Sequence, residues 1–443
     1  MGSNLLNPSM DRRTLLKWSA AVAGGLAVGS RGLGLVQADP GKAAAQRASA
    51  AEDGEWIPAA CWHNCGGRCL NKVLVKDGVV IRQKTDDTHP DSPDFPQQRG
   101  CARGRSQRKQ VFAADRLKYP MVRKHWEPGG GRKELRGRDE WVRISWDEAL
   151  DILASELKRI KETYGNRAIL RTGGSEIGRT LSLFGGYVSN WGTTSWGSWW
   201  DTGPIIGARE GYNTFNTNDR FDLRNSQLIV MWGCNPAWSA GGNPTWHFMQ
   251  AKKAGARFVF IDPFYTDTNQ VLGGEWIPIR PGTDHAMALG MAHTLLVEDD
   301  PETNPLIDWD FLHRCTVGFD ADHMPPGVDP KENFKDYVLG TYDGVPKTPE
   351  WAEEICGVPA ERIRWLAREI GRTPRVALLT SWAPARIKNS DSWPQMFMTL
   401  GAMTGHIGQP GRMTGLSVHR ASGNSGPFLV RPGGSGVPGI RNP

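Results

Sequence analysis

Cysteine is scarce, at seven in 443 residues, which excludes a small scaffold held by dense disulfides. Charge of one sign is also missing. The formal net charge is +6, and Arg12, Arg13, Lys17 and Arg31 against Asp11 supply half of it. The remainder is too weak a bias for a nucleic-acid partner. Beyond the N-terminal segment, no apolar run reaches the ~20 residues of a membrane-spanning helix. No G-x-G-x-x-G follows a strand-like segment, so the usual nicotinamide-dinucleotide fingerprint is absent. Hydrophobic residues make up 39% and charged residues 23%. These values exclude a disordered, collagen-like or coiled-coil chain. The length suits several domains with a real core. Glycine (53), proline (30) and tryptophan (19) are abundant. The first two imply much irregular backbone, and each buried indole N–H needs a partner.

The N-terminus reads as an address. Asp11-Arg12-Arg13-Thr14-Leu15-Leu16-Lys17 is a twin-arginine element. A mildly apolar Gly/Ala-rich stretch follows, ending in the small-residue site Val36-Gln37-Ala38. Residues 1–38 therefore read as a twin-arginine export signal, with an ordinary secretory signal or short anchor as the alternative. The twin-arginine route exports folded proteins, which suits a chain loaded with cofactor in the cytoplasm. Residues 39–53 read as a linker.

Four cysteines carry the first chemical signal. Cys61, Cys65 and Cys69 form C-x3-C-x3-C, and Cys101 follows after 31 intervening residues. Four thiolates suit a [4Fe–4S] cluster or a zinc ion. Zinc knuckles prefer C-x2-C pairs, so the spacing favours the cluster. Val73-Leu74-Val75 and Val79-Val80-Ile81 flank Lys76-Asp77-Gly78, a hairpin signal that would return Cys101 toward the first three. Cys234, Cys315 and Cys356 are scattered and read as ordinary thiols.

The middle of the chain reads as α/β. Ser145-Trp146-Asp147-Glu148 is a capping box. Leu150, Leu153, Leu157 and Ile160 then recur at helical spacing, and Gly165 stops the helix. Leu228–Trp232, a helix around Thr245–Lys253, and Phe258–Ile261 form a strand–helix–strand unit of a parallel sheet. A helix from Asp284, a helix near Ala360–Ile370 and a strand at Val376–Thr380 continue the pattern. Ligands of such sheets bind beyond the strand C-termini. Three such ends carry Asn, Asp and Thr, which can read a base edge or ribose; loop chemistry or helix capping explains each one equally well alone.

The export signal, the cysteine spacing, Cys101-Ala102-Arg103-Gly104-Arg105-Ser106 and Arg116-Leu117-Lys118-Tyr119-Pro120-Met121 resemble the catalytic subunits of the dimethyl sulfoxide reductase family. Those are bis-molybdopterin guanine dinucleotide enzymes. The resemblance runs from Arg12 to about Gly411. It implies that Cys61, Cys65, Cys69 and Cys101 hold a [4Fe–4S] cluster and that Arg103 stands between cluster and pterin. Gly233-Cys234-Asn235-Pro236, Asp262-Pro263-Phe264-Tyr265-Thr266-Asp267-Thr268 and Arg280-Pro281-Gly282-Thr283-Asp284 resemble the family's dinucleotide signatures. Asn235, Pro236, Asp262, Thr266, Thr268, Pro281, Gly282 and Asp284 are therefore implied dinucleotide-binding residues. Phe264 departs from the pattern, since Arg is common there. Trp382 lies in a further pterin-facing loop. Gly405 and Gly408 lie in Thr404-Gly405-His406-Ile407-Gly408-Gln409-Pro410-Gly411, which resembles a T-G-x-I-G-x-x-G turn.

In Ser198-Trp199-Trp200-Asp201-Thr202-Gly203, Asp201 falls on the position whose side chain ligates molybdenum in the namesake reductases, where it is Ser. A carboxylate is an anionic oxygen donor, so Asp201 is the implied ligand to molybdenum or tungsten, and a helix N-cap is the alternative. Its presence argues against a simple sulfoxide or N-oxide reductase. Trp191, Trp196, Trp199 and Trp200 shape a substrate pocket or pack around a cofactor. His63 and His247 read as structural.

The implied architecture is α/β: a small β-rich iron–sulfur domain (54–118) followed by Rossmann-like parallel-sheet domains. Residues 119–205 with 381–425 form a central molybdopterin domain, 206–380 a dinucleotide-binding domain, and 426–443 a Gly/Pro-rich tail. The family's C-terminal β-barrel-like domain is missing, which points to a truncated, split or incomplete chain. The implied partners are an iron–sulfur electron-transfer subunit, a membrane anchor subunit, the twin-arginine export machinery, a cofactor-insertion chaperone and a small-molecule substrate. Three functions remain open: an exported molybdenum (or tungsten) oxidoreductase subunit, a non-redox hydratase of the same family, and a non-catalytic fragment that keeps only the cluster.

Overall fold

The computed structural model describes residues 53–416, except 62–64, 66, 68, 172–174, 190–196, 200–201, 203–205, 207–216 and 389. The export signal, most of the linker, the tail, His63, Trp191, Trp196, Trp200 and the candidate ligand Asp201 lie outside the described residues. The described residues from Glu55 onward pack as one compact unit.

Strands β1 (Glu55–Ala60), β2 (Leu70–Lys76) and β3 (Val79–Thr85) form an antiparallel sheet in that order. Asp77 and Gly78 take φ of 50° and 75°, the left-handed pair that lets a two-residue hairpin follow the strand twist. Strand β1 has no clear signal in the sequence, because Pro58 interrupts it, and proline is confined to such edge strands. The Cys61 N–H donates to the Cys69 carbonyl at 2.8 Å. The cysteine loop is thereby closed between β1 and β2. Helix α1 (Ala102–Arg105) starts directly after Cys101.

Helix α2 (Trp146–Tyr164) forms as the capping box requires. The Ser145 hydroxyl accepts from the Glu148 N–H at 3.1 Å, and Gly165, at φ 78°, ends the helix. Its apolar row is open rather than buried: Leu150 and Leu153 are 57% and 55% exposed.

The core is a five-stranded parallel sheet. Its elements in chain order are β4 (Leu228–Trp232), α3 (Pro236–Ser239), α4 (Asn243–Lys253), β5 (Arg257–Ile261), α5 (Asp267–Leu272), β6 (Glu275–Ile277), α6 (Asp284–Glu298), α7 (Trp309–Cys315), α8 (Phe334–Leu339), α9 (Pro349–Cys356), α10 (Ala360–Arg372), β7 (Val376–Thr380), α11 (Trp393–Met403) and β8 (Met413–Leu416). The strand order is β6-β5-β4-β7-β8, all parallel. Every residue of β4 and β7 is buried, as continuous apolar runs covered on both faces must be. On one face Val230 packs in a cluster with Met287, Ile363, Leu366 and Phe397. On the other, Ile229 and Met231 meet Phe248, Ala251 and Phe260. Each large apolar side chain so buried contributes roughly 1.5–3 kcal/mol, which makes the sheet a rigid platform. Strand β8 pairs with β7. Residues 381–416, expected to join 119–205 in a central domain, thus also complete this sheet. Among the described residues no helix is long and apolar enough to cross a membrane.

Candidate functional site

The four cysteines converge. Cys61, Cys65, Cys69 and Cys101 line one cavity with Gly67, Arg103, Ser239, Gly242 and Pro244. Cys61 and Cys69 come from the ends of β1 and β2, and Cys101 from the start of α1. Asn243, at the head of α4, clamps these pieces together. Its side-chain oxygen accepts from the Arg99 N–H at 2.8 Å. Its amide donates to the Gln98 side chain at 2.6 Å and to the Gly67 carbonyl at 3.4 Å. Gly242 is required by close approach: a Cβ there would lie 2.4 Å from the Arg99 carbonyl oxygen and 3.1 Å from the Cys69 sulfur.

Burial, with Cys65, Cys61 and Cys101 beside it, pushes the Cys69 thiol up to about 11, partly offset by the Asn243 backbone N–H. Four thiolates this close need cations between them. Four converging cysteines are the ligand set of a [4Fe–4S] cluster. The seven cysteines form no disulfide. Cys234 is fully buried, and burial raises its thiol pKa well above the ordinary value, as the structural reading expects.

Arg103 connects this cavity to the sheet. It borders the cavity, its guanidinium reaches the Ser239 carbonyl at 3.5 Å, and it lies 5.7 Å from the Trp238 ring. Ser239 ends α3, the helix that starts at Pro236 directly after Asn235. The cysteine cavity is therefore adjacent to the C-terminal end of β4.

Three loops meet at that end of the sheet. The Asn235 side-chain oxygen accepts from the Thr268 N–H at 3.2 Å and from its hydroxyl at 2.7 Å. The Thr268 oxygen in turn accepts from the Ala237 N–H at 3.0 Å. Thr266 caps α5 through the Asn269 N–H. Pro236 occupies the first turn of α3 and is buried. Asp262 accepts from the Phe264 N–H at 3.2 Å, and burial raises its pKa. Asp284 is 5% exposed. It accepts the Trp232 indole N–H at 2.7 Å, and burial raises its pKa against that bond. Gly282, at φ 80°, brings the Pro281-Gly282 turn against Ile387. Trp382 is buried after β7, and a Cβ on Gly233 would meet the Pro384 ring at 2.8 Å.

The segment around Asp201 is tied to the same region. The Ser198 hydroxyl donates to the Ser390 carbonyl at 2.7 Å, and the Thr202 hydroxyl to the Asp391 carbonyl at 2.6 Å. Trp199 is 3% exposed, in a packing role.

Gly405 and Gly408 are not brought to this mouth. They take φ of 66° and 68° in the turn from α11 into β8. That turn is held at the opposite, N-terminal end of the sheet, where the Ser226 hydroxyl donates to the Gly411 carbonyl at 2.9 Å. His247 is buried among Phe221 and Trp246, as a structural histidine. Burial and three nearby arginines hold its pKa down at about 4.

Sequence reasoning missed part of the mouth. A cavity of about 460 Å³ is lined by Gly282, Thr283, His285, Tyr337, Trp351 and Gln395, among others. His285 Nε2, Trp393 Nε1 and Asn269 Nδ2 are buried without a hydrogen-bond partner among the described residues. Unpaired polar groups beside these loops fit a ligand rich in oxygen and nitrogen, as a dinucleotide is. Only the position of Thr283 and His285 beside Pro281-Gly282 could have pointed to them.

Comparison with known proteins agrees with this geometry. The family described as "Molybdopterin oxidoreductase" matches residues 116–434, and the "Molybdopterin oxidoreductase Fe4S4 domain" matches residues 55–112. The dimethyl sulfoxide reductase DmsA of Escherichia coli is 35% identical over 461 residues, covering 99% of this chain and 52% of its own. The trimethylamine-N-oxide reductase of Haemophilus influenzae is 33% identical, covering 94% of this chain and 48% of its own. The chain spans about half the length of the curated relatives it matches. Among solved structures, acetylene hydratase from Pelobacter acetylenicus shares the fold at a TM-score of 0.54 and 22% identity, covering 79% of this chain and 43% of that one. The paired matches and the converging cysteines lead to one assignment: the chain belongs to the molybdopterin oxidoreductase family, with that family's Fe4S4 domain at its N-terminal side and dimethyl sulfoxide reductases among its relatives.

Proposed function

We propose that this chain is the exported subunit of a molybdenum (or tungsten) oxidoreductase that reduces an oxygenated or hydroxylated small molecule, with electrons delivered through a [4Fe–4S] cluster. The relatives named for sulfoxide and N-oxide reduction supply reference substrates, and Asp201 in place of Ser directs the search to other oxygenated or hydroxylated compounds. One observation carries the reading: Arg103 borders the four-cysteine cavity and also contacts the helix that leaves the mouth of the parallel sheet. Cluster and dinucleotide sites are thereby neighbours rather than separate features.

Cys61, Cys65, Cys69 and Cys101 hold the cluster. Asn235, Pro236, Asp262, Thr266, Thr268, Pro281 and Gly282 shape the loops that receive one dinucleotide, Asp284 and Trp382 support them from beneath, and Asp201 is the metal ligand. The metal, when bound, supplies two-electron oxygen-atom chemistry. The chain's own residues do the rest. Asn235 and Thr268 lock two loops into one rim. Arg103 keeps a positive charge between the two centres, which favours an electron arriving there. Trp199 and Trp382 are buried against the adjoining loops and keep water from that side. We further propose twin-arginine export to the extracytoplasmic face of the membrane or the periplasm, with an iron–sulfur subunit and a membrane anchor as partners.

The test is turnover of oxyanions and hydroxylated aromatic compounds, with a sulfoxide and an N-oxide for reference, by anaerobically purified protein with a reduced dye as donor. The proposal requires donor-dependent turnover that Asp201→Ala abolishes while the cluster's spectrum persists. Full activity in Asp201→Ala would remove the ligand assignment. Donor-independent addition of water to an alkyne or alkene, in place of that turnover, would favour a hydratase.

A further inference from the structure

We propose that His313, Asp320 and His323 form a binding site for a divalent transition-metal ion of the zinc class, separate from the four cysteines. His313 lies in the last turn of α7. Asp320 caps a single 3-10 turn that ends at His323. His313 Nε2 lies 3.2 Å from one Asp320 oxygen, and His323 Nδ1 lies 2.6 Å from the other. The two imidazoles stack 4.2 Å apart and 8° from parallel. The three ligand atoms all lie within 4.8 Å of one another. No other triad of His, Cys, Asp or Glu among the described residues does so.

The surroundings hold the triad in place. The Asp320 carboxylate also accepts the His323 backbone N–H at 3.1 Å, which fixes its direction. The Trp309 ring lies 5.6 Å from His313 and 5.8 Å from the buried Phe319, so the His313 ring is backed by packed structure. The side chains keep a solvent-facing side, with 41%, 13% and 33% exposure for His313, Asp320 and His323. Between α7 and α8, residues 316–333 carry one 3-10 turn and no other regular element. A cross-link there supplies what little core cannot.

The chemistry follows from the donors. Without metal, each ring gives an N–H to the shared carboxylate. With metal, each neutral ring changes tautomer, its proton moving by exchange with solvent to the other ring nitrogen, and the freed lone pair of His313 Nε2 and His323 Nδ1 faces the ion. Two imidazoles and a carboxylate leave a coordination position for water. They select Zn²⁺, Ni²⁺ or Cu²⁺ over Mg²⁺ and Ca²⁺. With Zn–N bonds of about 2.1 Å, a tetrahedral ion holds its two nitrogens about 3.4 Å apart, which the stacked rings reach by a tilt. The spacing His-x6-Asp-x2-His is not a recognised motif, so only the fold exposes it.

The experiment is calorimetric titration of the full chain, carrying its iron–sulfur cluster and stripped of loose metal, with Zn²⁺ and with Mg²⁺. Co²⁺ serves as the spectroscopic probe. The proposal predicts one Zn²⁺ per chain, no Mg²⁺ binding, and a Co²⁺ spectrum without thiolate charge transfer. His323→Ala and Asp320→Asn should each weaken Zn²⁺ binding by more than the roughly 10–100-fold that outer-shell changes cause. Asp320→Asn keeps the cap on the 3-10 turn, so its loss of binding reports the ligand and not unfolding. Zn²⁺ binding of unchanged stoichiometry and affinity in both variants overturns the proposal. So does a Co²⁺ spectrum dominated by thiolate.

Discussion

Replacing Asn235 by alanine tests whether the mouth is a rigid rim. The Asn235 oxygen is the acceptor for both the N–H and the hydroxyl of Thr268, and Thr268 is fully buried. Asn235→Ala therefore leaves two donors without a partner in a place water does not reach. A buried orphan donor costs about 1–3 kcal/mol, and a lost ordinary hydrogen bond about 1 kcal/mol. The remaining bond, from the Asn235 amide to Asp267, is exposed and adds little. The expected loss is about 2–4 kcal/mol. Urea unfolding measures it. With a slope near the upper end of the usual 1–3 kcal/mol/M, the midpoint falls by about 1 M while the slope stays fixed. A variant within about 0.5 kcal/mol of the parent would refute the reasoning, because the loops would then stand without their bridge.

Three further outcomes follow from particular contacts. Gly242→Ala places a methyl group 2.4 Å from the Arg99 carbonyl oxygen and 3.1 Å from the Cys69 sulfur; iron loading should drop several-fold while far-UV circular dichroism keeps the parent spectrum. Asp284 has a folded-state pKa raised by burial above an unfolded value of about 3.9. Its contribution to stability is therefore full below about pH 4 and is lost as pH rises through the folded value. Asp284→Asn, measured by urea midpoint across pH, should gain on the parent at pH 7 and lose that advantage below about pH 4. His406 is held down at about 4 by burial, so the unfolded chain binds its proton first. Stability should be full above about pH 6.5 and fall by at most roughly 3 kcal/mol as pH drops to 4, and His406→Gln should flatten that part of the profile.

The parallel sheet was legible because its information is local. Leu228–Trp232 and Val376–Thr380 are uninterrupted apolar runs, and such runs have few alternatives to a buried strand. The capping box at Ser145 was legible for the same reason, since donor and acceptor are three residues apart. Its helix shows where pattern stops short: Leu150 and Leu153 keep helical period and still face outward. Strand β1 escaped notice because Pro58 breaks the signal and pairing with β2 restores it. The cysteine spacing announced a cluster, but not that Asn243 and Gly242, far along the chain, complete its cavity. Asp284 carried a motif position, yet its partner Trp232 is 52 residues away, and no local rule links them. Gly405 and Gly408 carry a recognisable turn, and topology decides that this turn lies at the sheet's N-terminal end. The His313–Asp320–His323 triad had no signature at all.

The central claim is that Cys61, Cys65, Cys69 and Cys101 hold a [4Fe–4S] cluster beside the mouth of the sheet. Its most direct test is metal and acid-labile sulfide analysis of the anaerobically purified full chain and its Cys65→Ser variant, with electron paramagnetic resonance after reduction. The account predicts about four iron and four sulfide per chain, and loss of the reduced-cluster signal in Cys65→Ser. One zinc ion per four cysteines, with no iron in the parent protein, would contradict it.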